Sequence, residues 1–234
     1  MRGDPLIGRR SDISIALDHV GDLRPALPMV KKTAGGGQAV YTALCPAALT
    51  DLGGIDPAEL YTIRPERESG ARYVVREHDI VFLLRWPFRL VFLDGNAWER
   101  RHEVSSLAED VPPLVAVGQM AVLTVDPRVA EPGYVAWYLR HPETVQRLRL
   151  VSKGATLQFI PMKDIRGLTV PLPNRPLQQL IAAGWLAQQR AARLAEERDR
   201  LLAQYIDAAG MKAVDEATPD EEPLRRIYEW YGHE

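Results

Sequence analysis

The chain has 234 residues, 46% of them hydrophobic and 26% charged, with a net charge of −2; this describes an ordinary globular core plus an extension or a small second unit. Its single cysteine, Cys45, excludes an internal disulfide and a thiolate metal cluster. No apolar run approaches the ~20 residues of a membrane span, and Met1-Arg2-Gly3-Asp4-Pro5 lacks the apolar centre of a signal peptide. The expected location is the cytoplasm, with no membrane partner.

The charge is unevenly spread. Residues 140–166 carry six bases against two acids, a net +4, and residues 196–234 carry eleven acids against five bases, a net −6. A basic lobe with an acidic tail is compatible with phosphate binding and equally with an ordinary solvated surface.

In chain order, Ile13–Leu17 reads as a strand or one helical turn. Lys31-Lys32-Thr33-Ala34-Gly35-Gly36-Gly37-Gln38 is a glycine-rich loop without the pattern of a nucleotide-binding loop, although its lysines could reach a DNA backbone. Val40–Leu44 is expected as a strand. Leu52-Gly53-Gly54-Ile55 turns into a short helix capped by Asp56, with Pro57 at its first position. Further strands are expected at Arg72–Val75, Ile80–Leu84, Leu90–Leu93 (ending in the Asp94-Gly95-Asn96 turn), Val115–Val117 and Ala121–Val125.

The hydrophobic period then changes. Pro132–Arg140 predicts a helix burying Val135, Tyr138 and Leu139, broken at His141-Pro142. Val145 and Leu148 carry an apolar face on to about Leu150, and Ser152-Lys153-Gly154 ends it. Leu168–Leu172 is expected as a last strand, with Pro173 and Pro176 framing the exit into a helix of roughly eight turns. Along it Leu180, Ala187, Leu194 and Leu201 recur every seven residues, interleaved with Gly184, Ala191, Arg198 and Tyr205. This is a coiled-coil seam whose small residues let a partner helix approach closely. It could fold back on the chain's own domain or pair with a second copy. Glu196 and Arg200 are spaced to pair along the helix. From Gly210 to Pro223 the chain reads as a loose acidic linker, and Leu224–Tyr231 as an aromatic segment that docks on this chain or another. The expected division is 1–173 globular, 174–209 helical and 210–234 linker and tail. The fold class is α+β: a globular domain with mixed sheet and helices, then a long C-terminal coiled-coil helix.

Catalytic chemistry is hard to place. His19, His78, His102, His141 and His233 are scattered without ligand spacing, so no metal is expected. There is no Gly-x-Ser-x-Gly elbow, and no lysine has the glutamate two residues earlier that an Asp plus Glu-x-Lys nuclease needs. Asp110-Val111-Pro112-Pro113 and Pro171-Leu172-Pro173-Asn174 do not supply the Asn/Asp-Pro-Pro-aromatic loop of an amino-methyltransferase. The expectation is that the chain is not an enzyme.

Five ordered features carry a resemblance: Leu52-Gly53-Gly54-Ile55-Asp56 before a short helix; Asp79-Ile80-Val81-Phe82; the Tyr-x-x-x-Tyr-Leu helix at Tyr134–Leu139; Gly154-Ala155-Thr156 followed by Ile160 and Ile165; and Val170-Pro171-Leu172-Pro173 leading to Gln178-Gln179-Leu180-Ile181. Across Ile13–Ile206 the chain resembles the target-recognition half of a type I restriction-modification specificity subunit. It departs from that family at His78, where a glycine usually precedes the aspartate, at Asn174-Arg175-Pro176, which replaces a tighter Pro-Pro-Leu, and in having one recognition domain and one long helix where two of each are usual.

The resemblance implies a subunit without its own cofactor. It would bind double-stranded DNA and hold a methyltransferase that modifies adenine with S-adenosylmethionine, with a nuclease/translocase able to join. A homodimer or a pair with another half-subunit would recreate the two-helix spacer. Expected DNA-binding residues are Arg85, Arg89, Arg100 and Arg101 beside the hairpins, and Lys153, Thr156, Gln158 and Lys163 around the Gly-Ala-Thr loop. The plainer readings are solvated strand ends and a loop that only caps a helix. Trp86 could be an exposed recognition aromatic or a core residue. Expected dimerisation residues are the seam: Leu180, Gly184, Ala187, Ala191, Leu194, Arg198, Leu201 and Tyr205. An adaptor recruiting a different enzyme in another phage-defence or DNA-modification system is the alternative, and an enzyme of unrecognised class a third.

Overall fold

The computed structural model describes residues 13–28, 40–65, 72–95, 112–155 and 158–216. The chain forms two compact units, Met1–Arg190 and Ala191–Glu234. The first is α+β, built on three sheets. A four-stranded antiparallel sheet runs in the order β2 (Gly21–Pro25), β8 (Met120–Val125), β5 (Ile80–Leu83), β6 (Leu90–Phe92). A mixed three-stranded sheet pairs β3 (Tyr41–Leu44) antiparallel with β4 (Tyr61–Ile63) and parallel with β7 (Leu114–Ala116). A two-stranded ladder joins β1 (Ser14–Ala16) to β9 (Thr169–Pro171), tying the first described strand to the last. The helices are α1 (Pro132–Arg140), α2 (Pro142–Val151), the short α3 (Met162–Arg166) and α4 (Arg175–Glu216).

The run Ile80-Val81-Phe82-Leu83 is continuously apolar because its sheet is buried on both faces. Strand side chains alternate. On one face Val81, Leu83, Val91, Met120 and Val122 pack with Leu44 and Val115 of the mixed sheet and with Val117 just beyond it. On the other, Ile80, Phe82, Leu90, Phe92 and Leu123 pack with Tyr134, Val135 and Leu139 of α1 and Ala182 of α4. Each fully buried large side chain contributes roughly 1.5–3 kcal/mol. A one-residue slip of β5 would exchange the two cores.

Buried Asp79 ties the sheet edge together. Its carboxylate accepts from Thr124 Oγ1 at 2.6 Å, the Arg76 amide at 2.9 Å and Arg24 Nη2 at 3.2 Å. His78, at the position where the resembled family has glycine, stands at φ 67° and donates its amide to Leu93 O at 2.7 Å. Gly53 sits at φ +72° under Arg140, where a Cβ would lie 2.2 Å from Nη1. Asp56 caps the turn Pro57–Glu59 by accepting from the Ala58 amide at 3.0 Å, as its sequence context implied.

Several expectations are corrected. Arg72–Val75 forms no strand and contributes one bridge, Val74 to Val115. β2 and β4 went unanticipated: Gly21-Asp22-Leu23-Arg24-Pro25 has weak strand propensity, and its place comes from packing, since a Cβ on Gly21 would lie 2.1 Å from Thr124 O. Tyr134 is the fully buried tyrosine of α1. Tyr138 lies half-buried at the rim and donates to Thr169 O at 3.1 Å. Arg200 pairs with Glu197, at 2.5 Å, in place of the expected Glu196 partner. The helix expected to end near residue 209 continues to Glu216, so 210–216 is not a loose linker. Met211, Lys212 and Ala213 are good helix formers, which offsets the ~1 kcal/mol cost of Gly210. Residues 217–234, with the aromatic segment, and the lysine-glycine loop at 31–38 lie outside the described residues.

Candidate nucleic-acid interface

The basic lobe and the β5–β6 turn come together. Residues 84–86 leave β5 and pair with 158–160: the Trp86 amide donates to Gln158 O at 3.1 Å and the Ile160 amide to Leu84 O at 2.8 Å. Lys153 and Phe159 exchange both backbone bonds, each at 2.8 Å, closing the Gly-Ala-Thr loop at its base. Gly154 holds φ +102° within it, a left-handed conformation suited to glycine, although the α2 cap itself is Ser152.

The expected DNA-binding residues divide by environment. Arg85, Lys153, Gln158 and Lys163 are all exposed, and the first three share this pairing. Among the described residues no carboxylate partners Arg85, Lys153 or Lys163. Arg89 is committed inside the chain: its Nε donates to Asp51 Oδ1 at 2.6 Å and its Nη1 to Leu49 O at 3.3 Å, holding the Leu49–Gly54 loop. Arg100, Arg101 and Thr156 lie outside the described residues. Trp86 is half-buried, its ring 6.5 Å from Phe88, with the Arg149 guanidinium carbon 5.6 Å from its centroid. The sequence reading omitted Arg149 and Phe159. Arg149 follows the basic count for 140–166, but Phe159 joins Arg85 only through a pairing across more than seventy residues, which has no local signal.

The seam residues are placed as follows. Leu180, Gly184 and Ala187 of the first unit are exposed, and so are Ala191, Leu194, Arg198, Leu201 and Tyr205 of the second. In the first unit the buried or half-buried helix positions are Arg175, Gln178, Ile181, Ala182, Trp185, Leu186 and Gln189. These are spaced as the opposite face of the same helix. Gln178 fixes that face: Oε1 accepts from the Glu131 amide at 2.9 Å and Nε2 donates to Pro173 O at 2.7 Å. Arg175 adds a 3.2 Å bridge to Glu131.

Three titrating groups are strongly placed. Burial, then the neighbouring Tyr138, pushes the Tyr134 phenol up to about 12, and its hydroxyl donates to Pro171 O at 2.6 Å. Hydrogen bonds from Arg128 hold half-buried Asp126 down at about 2. Burial, then the Cys45 charge, raises Tyr61. None belongs to the exposed basic cluster. No cluster of three or more His, Cys, Asp or Glu side chains suited to a metal occurs among the described residues, and none of their helices is long and apolar enough to cross a membrane.

No family model matches the sequence, and no curated protein does. Solved structures do. The chain aligns with the HsdS subunit from Thermoanaerobacter tengcongensis at TM-score 0.53 and 15% identity, over 89% of this chain and 50% of that one. It aligns at TM-score 0.54 and 18% identity with a type I R-M system structure bearing on complex assembly and conformational transition, again over 89% and 50%. The fold is that of a type I specificity subunit. The chain spans about half the length of the structures it matches. The long helix after the α+β unit is part of that specificity-subunit fold.

Proposed function

We propose that the chain is a non-catalytic DNA sequence-specificity subunit with one recognition domain, pairing through residues 177–206 with a second copy or another half-subunit. It binds duplex DNA and positions an adenine methyltransferase, which carries S-adenosylmethionine, and a nuclease/translocase can join. The observation that carries this reading is the match of nearly the whole chain to half of a specificity-subunit fold. The helix supports it: Leu180, Leu194 and Tyr205 are 69%, 70% and 73% exposed, a row of apolar surface that an aqueous helix covers with a partner. Gly184, Ala187 and Ala191 keep that row narrow, and Arg198 places a charge in it, as interfaces that set register do. The exposed cations Arg85, Lys153 and Lys163 supply the phosphate attraction. The same reading divides the chain into a recognition unit at 1–173 and the dimerisation helix that follows it, which runs to Glu216.

The test is affinity purification from the native cell at low salt. A methyltransferase recovered in comparable amount is expected. Recovery of a different enzyme would transfer the fold to another DNA-modification or defence system.

A further inference from the structure

Two ladder fragments meet at one aromatic residue. Phe159 is bridged to Arg85 on one side and Lys153 on the other, both antiparallel. On the Arg85 side the bonds run between the flanking residues, Trp86 to Gln158 and Ile160 to Leu84, so Arg85 and Phe159 form the closer, non-hydrogen-bonded type of pair. On the Lys153 side the two residues exchange both bonds. Directly opposed residues of an antiparallel ladder project to the same face. Arg85, Phe159 and Lys153 therefore stand in a row on one face of a three-stranded ribbon, with the ring in the middle. The flanking residues turn the other way: Ile160 is buried and Leu84 packs on the core. The triplet faces outward, Phe159 being 45% exposed and both cations exposed.

We propose that this triplet is a duplex-DNA contact in which Arg85 and Lys153 hold backbone phosphates and Phe159 packs its ring against the sugar or base edge between them. The proposal rests on the DNA-binding reading above and gives it a site. Charge selects DNA over a protein partner. Arg85 and Lys153 have no carboxylate partner among the described residues, and 140–166 is net +4. Protein interfaces are depleted of lysine at their cores. An aromatic ring between two cations matches the alternation of sugar and phosphate along a strand. Neighbouring ribbon strands lie ~4.8 Å apart, so the two cations straddle the ring at about twice that distance. The contrast within one turn is informative: Arg89 is used to hold the fold, and Arg85 faces outward.

The experiment uses the full-length protein and a pool of random-sequence duplexes, with affinity followed by fluorescence anisotropy across a salt series. Arg85→Ala and Lys153→Ala should each reduce the slope of log affinity against log salt by about 0.9, the loss of one phosphate contact. Phe159→Ala should weaken binding several-fold through the lost apolar contact at an unchanged slope, with Phe159→Leu intermediate, and thermal melts establish that each variant is folded. If the wild type binds and all four variants bind like it with its slope, DNA lies elsewhere; the triplet is then excluded and the specificity role stands. A wild type that fails to bind duplex at low salt removes both. Should Phe159→Ala spare DNA binding but lose a co-purifying methyltransferase, the surface belongs to a protein partner and the inference is overturned.

Discussion

At the scale of single residues, three positions are held against their own chemistry. His78 occupies a left-handed conformation that costs a side-chain-bearing residue roughly 1–2 kcal/mol and glycine almost nothing. His78→Gly should raise the urea midpoint by the equivalent of about 1 kcal/mol; a lower midpoint would mean that its ring contact with Phe92 outweighs the strain. Asp79 is a buried carboxylate whose partner Arg24 is itself largely covered. Asp79→Ala removes one of Arg24's two carboxylate partners, Asp22 remaining at 3.0 Å, together with the bonds from Thr124 and the Arg76 amide, and should cost about 1–3 kcal/mol in chemical denaturation. Tyr134 titrates at about 12 in the fold against about 10 in an unfolded chain. The folded state therefore holds this proton more tightly. Its contribution is complete below pH ~10 and is lost as pH rises toward ~12. Tyr134→Phe should flatten that alkaline arm of a stability profile, and an unchanged arm would assign it to other groups.

Among the elements, α4 carries two seven-residue rows. In the first unit Gln178, Ala182 and Trp185 are covered by the α+β body. The row offset by two residues is exposed there, and its continuation through Leu194 and Leu201 is exposed in the second unit. The combined substitution Leu194→Asp, Leu201→Asp should reduce the assembled mass in sedimentation to that of one chain, while near-ultraviolet circular dichroism of the globular unit stays unchanged. Undiminished assembly would remove the helix from the interface. Gln178→Ala removes both bonds that seat the helix start, and should lower domain stability by about 1–2 kcal/mol. The two experiments separate the rows.

For the whole molecule, the chain with its α+β unit and long helix covers half of each matched structure. If two copies assemble about a two-fold axis, their recognition units read a symmetric bipartite sequence. The assembled protein should then protect two inverted half-sites from cleavage reagents, and protection of a single half-site would point to pairing with a different half.

Much of this was written locally in the chain. The strand at 80–83 was legible because a short β-branched and aromatic apolar run follows the Glu77-His78-Asp79 turn, the α1 boundaries because Pro132 and His141-Pro142 punctuate them, and the Asp56 cap because its chemistry is complete within three residues. The glycines at 53 and 154 marked backbone conformations that they do adopt. What had no local signal came from tertiary placement. β2 exists because β8 offers an edge to a weak strand, while Arg72–Val75, with better propensity, makes only a single bridge to β7. Arg85 and Arg89 look alike in sequence, yet one is tied to Asp51 and the other projects from a ribbon formed with residues more than seventy positions away. Near-neighbour patterning along the chain sets most element types, the α+β class and the period of the long helix, though not β2, β4 or the fate of Arg72–Val75. Which face of that helix is covered and which cations remain exposed follows from packing, because burial and pairing are properties of residues brought together from distant parts of the chain.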